Sequence, residues 1–420
     1  MTIALIDANA FYCSAQILFE PWLRDSAVVV ASNGDGCVVS RNDPAKALGI
    51  KMGQPVFELR DLEARNQVKI FSSNYSLYQS LSNRMMAILE EQSPRISPYS
   101  IDECFSWLDG IADPEAWGRQ AQAEVMQRIG LPVGVGIGPT KTLAKMANWA
   151  AKKWKAKTGC VVLLTDPLRQ EKLLRYAPVG EVWGIGRRLS ARLEAELSIK
   201  TAWQLANADP KLLRRYFSVN VERTARELCG IPCFPLGAGP ERKQQIISSR
   251  TFGEKIYRLE SLRSAVAHYT SVAAAKLRAQ GSLANCNQVF AQSSAFAPGE
   301  RFSGTRIMAL PYPTDDTRDL VAAAQQGLSA MFREGVAYAK AGVILSQFVE
   351  RGAITGDLFA PAPRSGSKAV MQVMDAINAR QGRGAIRLGS DHEGGGWVMR
   401  QKHLSPTYTT SWQGLPQARC

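Results

Sequence analysis

Two kinds of apolar pattern alternate along the first 166 residues. Short unbroken runs at Ile3–Ile6 and Ala27–Ala31 have the length and composition of buried strands, and Val133–Gly138 reads as a glycine-rich strand. Tyr78, Leu81, Met85, Ile88 and Leu89 recur at helical spacing and predict a core-facing helix over 74–91. Further helices are expected over 114–129 and from Thr140 onward, and two short strands between Arg95 and Leu108. Strand, inserted segment, helix, strand, strand, helix, strand is a split βαβ order, with residues 13–76 largely the insertion. Downstream, the Val182-Trp183-Gly184-Ile185-Gly186 turn opens a helix running to about Leu197. Pro232, Pro235, Gly237, Gly239 and Pro240 then break regular structure. A second split βαβ pattern follows, with strands near 244–252, 286–296, 304–311 and 341–349 and helices near 261–280 and 316–334. Residues 360–367 read as a connector, and one more helix is expected over 369–379.

Length and charge sharpen this division. A chain of 420 residues has room for two to four domains. No stretch approaches the roughly 20 apolar residues of a membrane span, and no basic segment opens the chain as a secretory signal would. The eight cysteines show neither metal-ligand nor disulfide-framework spacing, and cytoplasmic reduced thiols are expected. The net charge of +14 is unevenly spread: zero over 1–166, then +6 over 167–243, +4 over 244–352 and +4 over 353–420. That layout suits a chemical part joined to parts that hold a polyanion; a solubilising surface is the alternative.

The neutral part carries the candidate chemistry. Asp7 ends an apolar run, and Asp102 and Glu103 interrupt another between Ile101 and Phe105. Carboxylates in such settings lose hydration and need a counter-charge, for which a divalent metal is the simplest source. Adjacent strand residues point to opposite faces, so Asp102 and Glu103 share a site only where the strand ends or turns; otherwise one is a surface charge. Asn42 or Asp43 reads as an N-cap before Pro44, with Gly49 past the helix end. Arg41 before that helix and Lys46 within it form a candidate phosphate cradle. Lys141, Lys145, Lys152 and Lys155 are read as not forming one helix face.

The stretches D-A-N-A-F-Y at 7–12 and S-I-D-E at 100–103 resemble the Y-family DNA polymerases, in particular the UmuC type. The resemblance continues through S-N-G-D-G-C-V-V-S-R-N, A-K-A-L-G-I-K-M-G, F-S-S-N-Y-S-L-Y, S-R-T-F-G-E and S-P-T-Y-T-T, covering nearly the whole chain. It implies an α+β multidomain, right-hand polymerase. The palm, split βαβ and ferredoxin-like, would comprise 1–12 and 77–166, with small fingers at 13–76. A helical helix-hairpin-helix thumb would occupy 167–243, a βαββαβ little finger 244–352, and a partner-binding tail 353–420.

The same resemblance assigns roles. Asp7 and Asp102 would bridge two Mg²⁺ ions, Glu103 would complete the one at the primer hydroxyl, and the backbone carbonyl of Ala8 would also ligate. Tyr12 would be the steric gate that excludes a ribose 2′-hydroxyl. Ser40, Lys46 and Lys152 would reach the triphosphate, and family members commonly carry tyrosine where this chain has Asp43. Gly184, Gly186, Arg187 and Arg188 resemble the hairpin that holds a DNA phosphate. Thr355–Phe359 resembles a clamp-binding peptide with Leu358 and Phe359 as its apolar pair; a pair covering a domain edge is the alternative. Primer-template DNA, dNTPs, a processed UmuD dimer, a RecA filament and the sliding clamp are the implied partners. Small fingers and the lack of any nuclease-like segment suggest error-prone translesion synthesis in the SOS response. A non-catalytic DNA-binding repair regulator and a nucleotide cyclase are the competing classes.

Overall fold

The computed structural model describes residues 1–235, 242–294, 301–353, 361–382, 384–391 and 401–412. The chain divides into two compact units, one of residues 1–32, 36–240 and 403–420, the other of residues 33–35 and 241–402. Among the described residues no helix is long and apolar enough to cross a membrane.

In the first unit, β1 (Ile3–Ala8) is the middle of a five-stranded sheet. It pairs antiparallel with β6 (Glu103–Trp107) on one side and β7 (Val133–Gly138) on the other. The outer strands are β5 (Arg95–Pro98), antiparallel to β6, and β8 (Val161–Leu163), parallel to β7. Alternation along β1 decides its two faces. Ala4, Ile6 and Ala8 enter the core under α4 (Tyr75–Gln92) and α5 (Pro114–Ile129). Ile3 and Leu5 pack with Phe105, Trp107 and Ala144, beneath α6 (Lys141–Lys153).

The inserted segment opens with α1 (Phe11–Ile17) and builds a three-stranded sheet. Its middle strand β2 (Val28–Ala31) runs antiparallel to β3 (Val38–Arg41) and parallel to β4 (Lys69–Ser72). The run of apolar residues in β2 is continuous because both faces are covered. Val28 and Val30 join the main core, while Val29 and Ala31 pack with Ala45, Ile50 and Leu59 around α2 (Asp43–Ala47) and α3 (Arg60–Ala64). After the short α7 (Lys155–Thr158), five helices form a further core with the outer side of α6. These are α8 (Pro167–Tyr176), α9 (Arg187–Leu197), α10 (Ala202–Ala206), α11 (Pro210–Tyr216) and α12 (Val219–Leu228).

The second unit has the βαββαβ order expected from its pattern. Strands β9 (Ile246–Ile256), β10 (Ser282–Ser293), β11 (Ser303–Thr314) and β12 (Tyr338–Glu350) form an antiparallel sheet in the order β11-β10-β12-β9. Helices α13 (Leu259–Gln280) and α14 (Thr317–Met331) cover one face. Helix α15 (Ser367–Gln381) docks beside them, its Asp375 taking two bonds from Arg278, at 2.6 and 2.7 Å. The final described segment, 403–412, belongs to the first unit, where Tyr408 joins the main core.

Candidate active site

Asp7 falls on the same face of β1 as Ile3 and Leu5, the face beneath α6. Glu103 is its cross-strand partner on β6 and shares that face with Phe105 and Trp107. Asp102 escapes strand alternation because β6 starts only at Glu103. Residues 100–102 form a bend, closed by backbone bonds from Tyr99 and Ser100 to the Glu103 carbonyl at 2.9 and 3.1 Å. The Ser100 hydroxyl donates to Asp102 Oδ1 at 2.5 Å, and the Ala8 N–H donates to the Asp102 carbonyl at 2.9 Å. So the end of β1 and the bend before β6 bring Asp7, Ala8, Asp102 and Glu103 together.

The glycines of β7 let α6 approach this face. A Cβ on Gly136 would lie 2.1 Å from the Asn148 backbone nitrogen, while Val133, Val135 and Ile137 fill the opposite core. Gly134, opposite Asp7, leaves room for the Lys152 stem. Lys152 Nζ reaches Asp7 Oδ1 at 2.5 Å and Lys145 Nζ reaches Glu103 Oε1 at 2.9 Å. This corrects one expectation: Lys141, Lys145 and Lys152 fall within about 40° of one another around the helix axis and form one stripe. Lys141 ends on the Pro235 carbonyl and over the Phe105 and Trp107 rings, 5.2 and 5.8 Å from their centroids. Lys145 is a site residue that sequence reasoning missed; its seven-residue spacing from Lys152 was the available signal.

Burial pushes the Asp7 carboxyl up to about 6. Lys152 pulls it down, and Glu103 and Asp102 add to the rise. Each side chain is turned to a donor of its own chain, and among the described residues no three acidic, His or Cys side chains are gathered into a metal cage.

Tyr12 lies on α1, which starts after Ala10 in a left-handed backbone conformation with φ 45°. Its ring stacks on Tyr78 at 4.3 Å and meets Tyr75 edge-on at 6.1 Å. Both partners come from the first turns of α4, capped by the Asn74 side chain. Burial raises the Tyr12 pKa, with Tyr75 and Asp102 adding to it.

The phosphate candidates lie on the three-stranded sheet and its edge. Ser40 is buried, and Arg41 is half-buried with one nitrogen on the Ile50 carbonyl. Of the two candidate caps Asn42 is the one that caps α2, accepting from Ala45 at 3.1 Å, and the helix starts at Asp43, one residue before Pro44. Asp43 pairs with Lys46 at 2.9 Å and with Lys155, and these bonds hold its carboxyl below its ordinary range. Asp43 therefore fastens α2 to α7, a role the sequence did not suggest.

Gly184 takes φ +86°, and Gly186 is the N-cap of α9, which starts with Arg187 and Arg188. Trp183 in this turn donates its indole N–H to the Tyr99 hydroxyl at 3.2 Å. It also packs on Tyr99, Phe105 and Phe234, while the Lys145 ammonium lies 4.6 Å from the Tyr99 ring centre and 5.3 Å from that of Trp183. The buried Glu227 carboxylate accepts from Thr142 N–H and O–H, both at 2.8 Å, at the start of α6. An aromatic bracket and a buried acid thus tie the glycine turn and α12 to the elements carrying the carboxylates. Leu358 and Phe359 lie outside the described residues.

Three family models match the chain. The impB/mucB/samB family matches residues 6–149, its C-terminal domain residues 243–358, and a domain of unknown function residues 368–418. The chain is 46% identical to Protein ImpB of Salmonella typhimurium, over 99% of each chain. It is 44% identical to Protein UmuC of Salmonella typhimurium, over 98% of this chain and 99% of that one. Among solved structures, a Y-family DNA polymerase chimera superposes with a TM-score of 0.63 at 19% identity, over 84% of this chain and all of that one.

Proposed function

The chain belongs to the impB/mucB/samB family, the UmuC-type Y-family DNA polymerases, and on that premise we propose that it extends a primer by templated nucleotidyl transfer across damaged DNA. The observation that carries the reading is the cross-strand pair Asp7 and Glu103, with Asp102 in the bend just before β6. Two carboxylates from distant parts of the chain face each other on one lysine-lined sheet face, with a third in the adjoining bend, an arrangement costly to keep for stability alone.

The residues suit Mg²⁺ in their chemistry. They are hard oxygen donors, and the Asp7 carboxyl is lifted chiefly by burial, with Glu103 and Asp102 adding a smaller rise, so a cation there would relieve both costs. Lys152 and Lys145 now neutralise the same oxygens that a cation would take. Asp7, the Ala8 carbonyl, Asp102 and Glu103 would hold the ions. When bound, divalent ions would make the primer 3′-hydroxyl more acidic and offset charge on the leaving pyrophosphate.

The chain's own groups supply the rest. Lys152, released from Asp7, carries its charge to the triphosphate, with Lys46, Arg41 and Ser40 at the other side. Tyr12, held flat by Tyr78, bars a 2′-hydroxyl by steric exclusion. Backbone N–H groups at Gly184–Arg188 hold a DNA phosphate without reading sequence. Residues 1–12 with 77–166, 13–76, 167–243 and 244–352 would be palm, fingers, thumb and little finger. The family premise extends to a cytoplasmic setting in the SOS response, with a processed UmuD dimer, a RecA filament and the sliding clamp as partners.

Primer extension with dNTPs and Mg²⁺ tests the proposal. Asp102→Asn should lower incorporation by about a thousandfold or more while leaving primer-template affinity within about twofold. Retained incorporation would remove Asp102 from the site.

A further inference from the structure

We propose that residues 403–410 form a built-in clasp that positions the tyrosine wall of the sugar gate, so that the far end of the chain helps set nucleotide selectivity. This rests on Tyr12 as the gate. The matched domain of unknown function at 368–418 contains this segment.

The segment grips both elements that build the wall. At the entry to α4, the Ser72 N–H donates to the His403 carbonyl at 2.9 Å, and the His403 N–H donates to Ser72 Oγ at 3.0 Å. Asn74 then does two jobs. Its amide oxygen caps α4 by accepting from the Leu77 N–H, and its amide nitrogen faces Ser405 Oγ at 3.1 Å and the Pro406 carbonyl at 3.2 Å. At the exit of α1, the Tyr408 ring stacks on Phe19 at 4.3 Å with 10° between planes. Its hydroxyl donates to Glu20 Oε1 at 3.2 Å.

These are interior contacts. Asn74 is 7% exposed, Ser405 6% and Tyr408 8%, and Tyr408 belongs to the same core as Phe11 and Tyr78. Helix α1 carries Tyr12, and the first turns of α4 carry Tyr75 and Tyr78. A segment more than 300 positions away in sequence therefore fixes the spacing of the two helices whose rings stack to make the gate. Without it, the Asn74 amide loses buried partners and Phe19 loses its cover, so the start of α4 frays and the Tyr12–Tyr78 stack loosens. Tyr408 and Ser405 are positioning residues: their partners are Glu20, Phe19 and Asn74 rather than Asp7, Asp102 or Glu103, and they act through α1 and α4.

The test uses the full chain, with Tyr408→Ala, Tyr408→Phe and Tyr12→Ala compared in single-nucleotide insertion of dNTPs and rNTPs. Hydrogen exchange of the free protein is followed over residues 69–80. Tyr408→Ala should raise the relative kcat/KM for ribonucleotides by about tenfold, mainly through KM for the nucleotide, with DNA affinity unchanged. Amides at 72–78 should exchange faster, and Tyr408→Phe, which keeps the stack, should stay within about twofold of the parent. Should Tyr408→Ala fail to fold, Ser405→Ala removes one partner of Asn74 and little volume, and should shift the same ratio by about threefold. If Tyr12→Ala relaxes sugar choice and the clasp variants neither relax it nor speed exchange at 72–78, the clasp is overturned. If Tyr12→Ala leaves sugar choice unchanged, the gate reading fails instead; faster exchange at 72–78 then still supports the clasp, and unchanged exchange overturns it.

Discussion

The two principal sheets of this chain share a βαββαβ order of elements along the sequence but differ in strand order and in surroundings. The five-stranded sheet is covered on both faces, by α4 and α5 on one and α6 on the other. Among the described residues of its own unit, the four-stranded sheet is covered on one face, by α13 and α14. On its open face, Ile307, Gln288, Ile344 and Ile247 form a row across all four strands, with Ile307 69% and Ile247 54% exposed. Phe290 and Lys340 lie beside that row, the ammonium 5.9 Å from the ring centre. Enclosure raises the strength of each charge interaction, so the covered sheet can tune carboxylates; an open sheet offers area instead. The difference teaches that the order of elements alone assigns no job here. What lies over the second face does.

The sharpest way to break this comparison is to force the second cover off. Gly136→Ala drives a Cβ into the Asn148 backbone, and should cost about 3 kcal/mol and displace Lys145 and Lys152 from the carboxylates. Gly342→Ala in the four-stranded sheet meets a similar clash, 2.2 Å from Ser249 Cβ. It should destabilise its own unit by a like amount, yet leave incorporation at saturating DNA nearly intact. Calorimetry and primer extension on the two variants check this. Equal loss of chemistry in both would mean that enclosure is not what the active sheet depends on.

The next effect is a trade between stability and activity. The folded Asp7 carboxyl sits at about 6 against 3.8 for the free group. The sign follows from linkage: a raised carboxylate penalises the fold where it is ionised in both states, above about pH 6. That penalty fades as pH falls towards 4, where the unfolded chain also takes up the proton. Asp7→Asn should therefore stabilise the metal-free chain at pH 7 by up to about 3 kcal/mol and by almost nothing at pH 3.5, while abolishing incorporation. Thermal unfolding at the two pH values measures it. No such pH-dependent gain is expected from Asp→Asn changes at exposed positions of the second unit.

Much of this architecture could be read from pattern. The apolar runs at 3–6 and 133–138, the helix over 74–91 and the whole βαββαβ order of the second unit follow from periods of 2 and 3.6. The bend that admits Asp102 beside Glu103 resolves the objection that strand alternation raised. The contacts that pattern could not supply join residues far apart. Lys145 on Glu103, Asp43 on Lys155, Trp183 on Tyr99 and Asn74 on Ser405 have no local periodic signature. Strands β3, β4 and β8 are too short for alternation to register. The lysine stripe of α6 was legible in principle, since a step of about 100° per residue places Lys141, Lys145 and Lys152 on one side, while Lys155 lies beyond the break at Trp154.

The smallest expected effect lies on the open face. Lys340 stands there half-exposed beside Phe290, in a different unit from the carboxylates. If the open sheet holds a polyanion, Lys340→Ala should weaken DNA binding severalfold at low salt. It should also lower the slope of log affinity against log salt by about 1, whatever the DNA sequence. The rate of incorporation from prebound DNA should not change, because nothing on the covered sheet has moved. A salt titration by fluorescence anisotropy gives the slope, and rapid quench gives the rate. A slope that stays fixed would leave the isoleucine row as the face's main feature and point to an apolar partner. A rate that falls would mean that the two sheets are not divided between chemistry and grip.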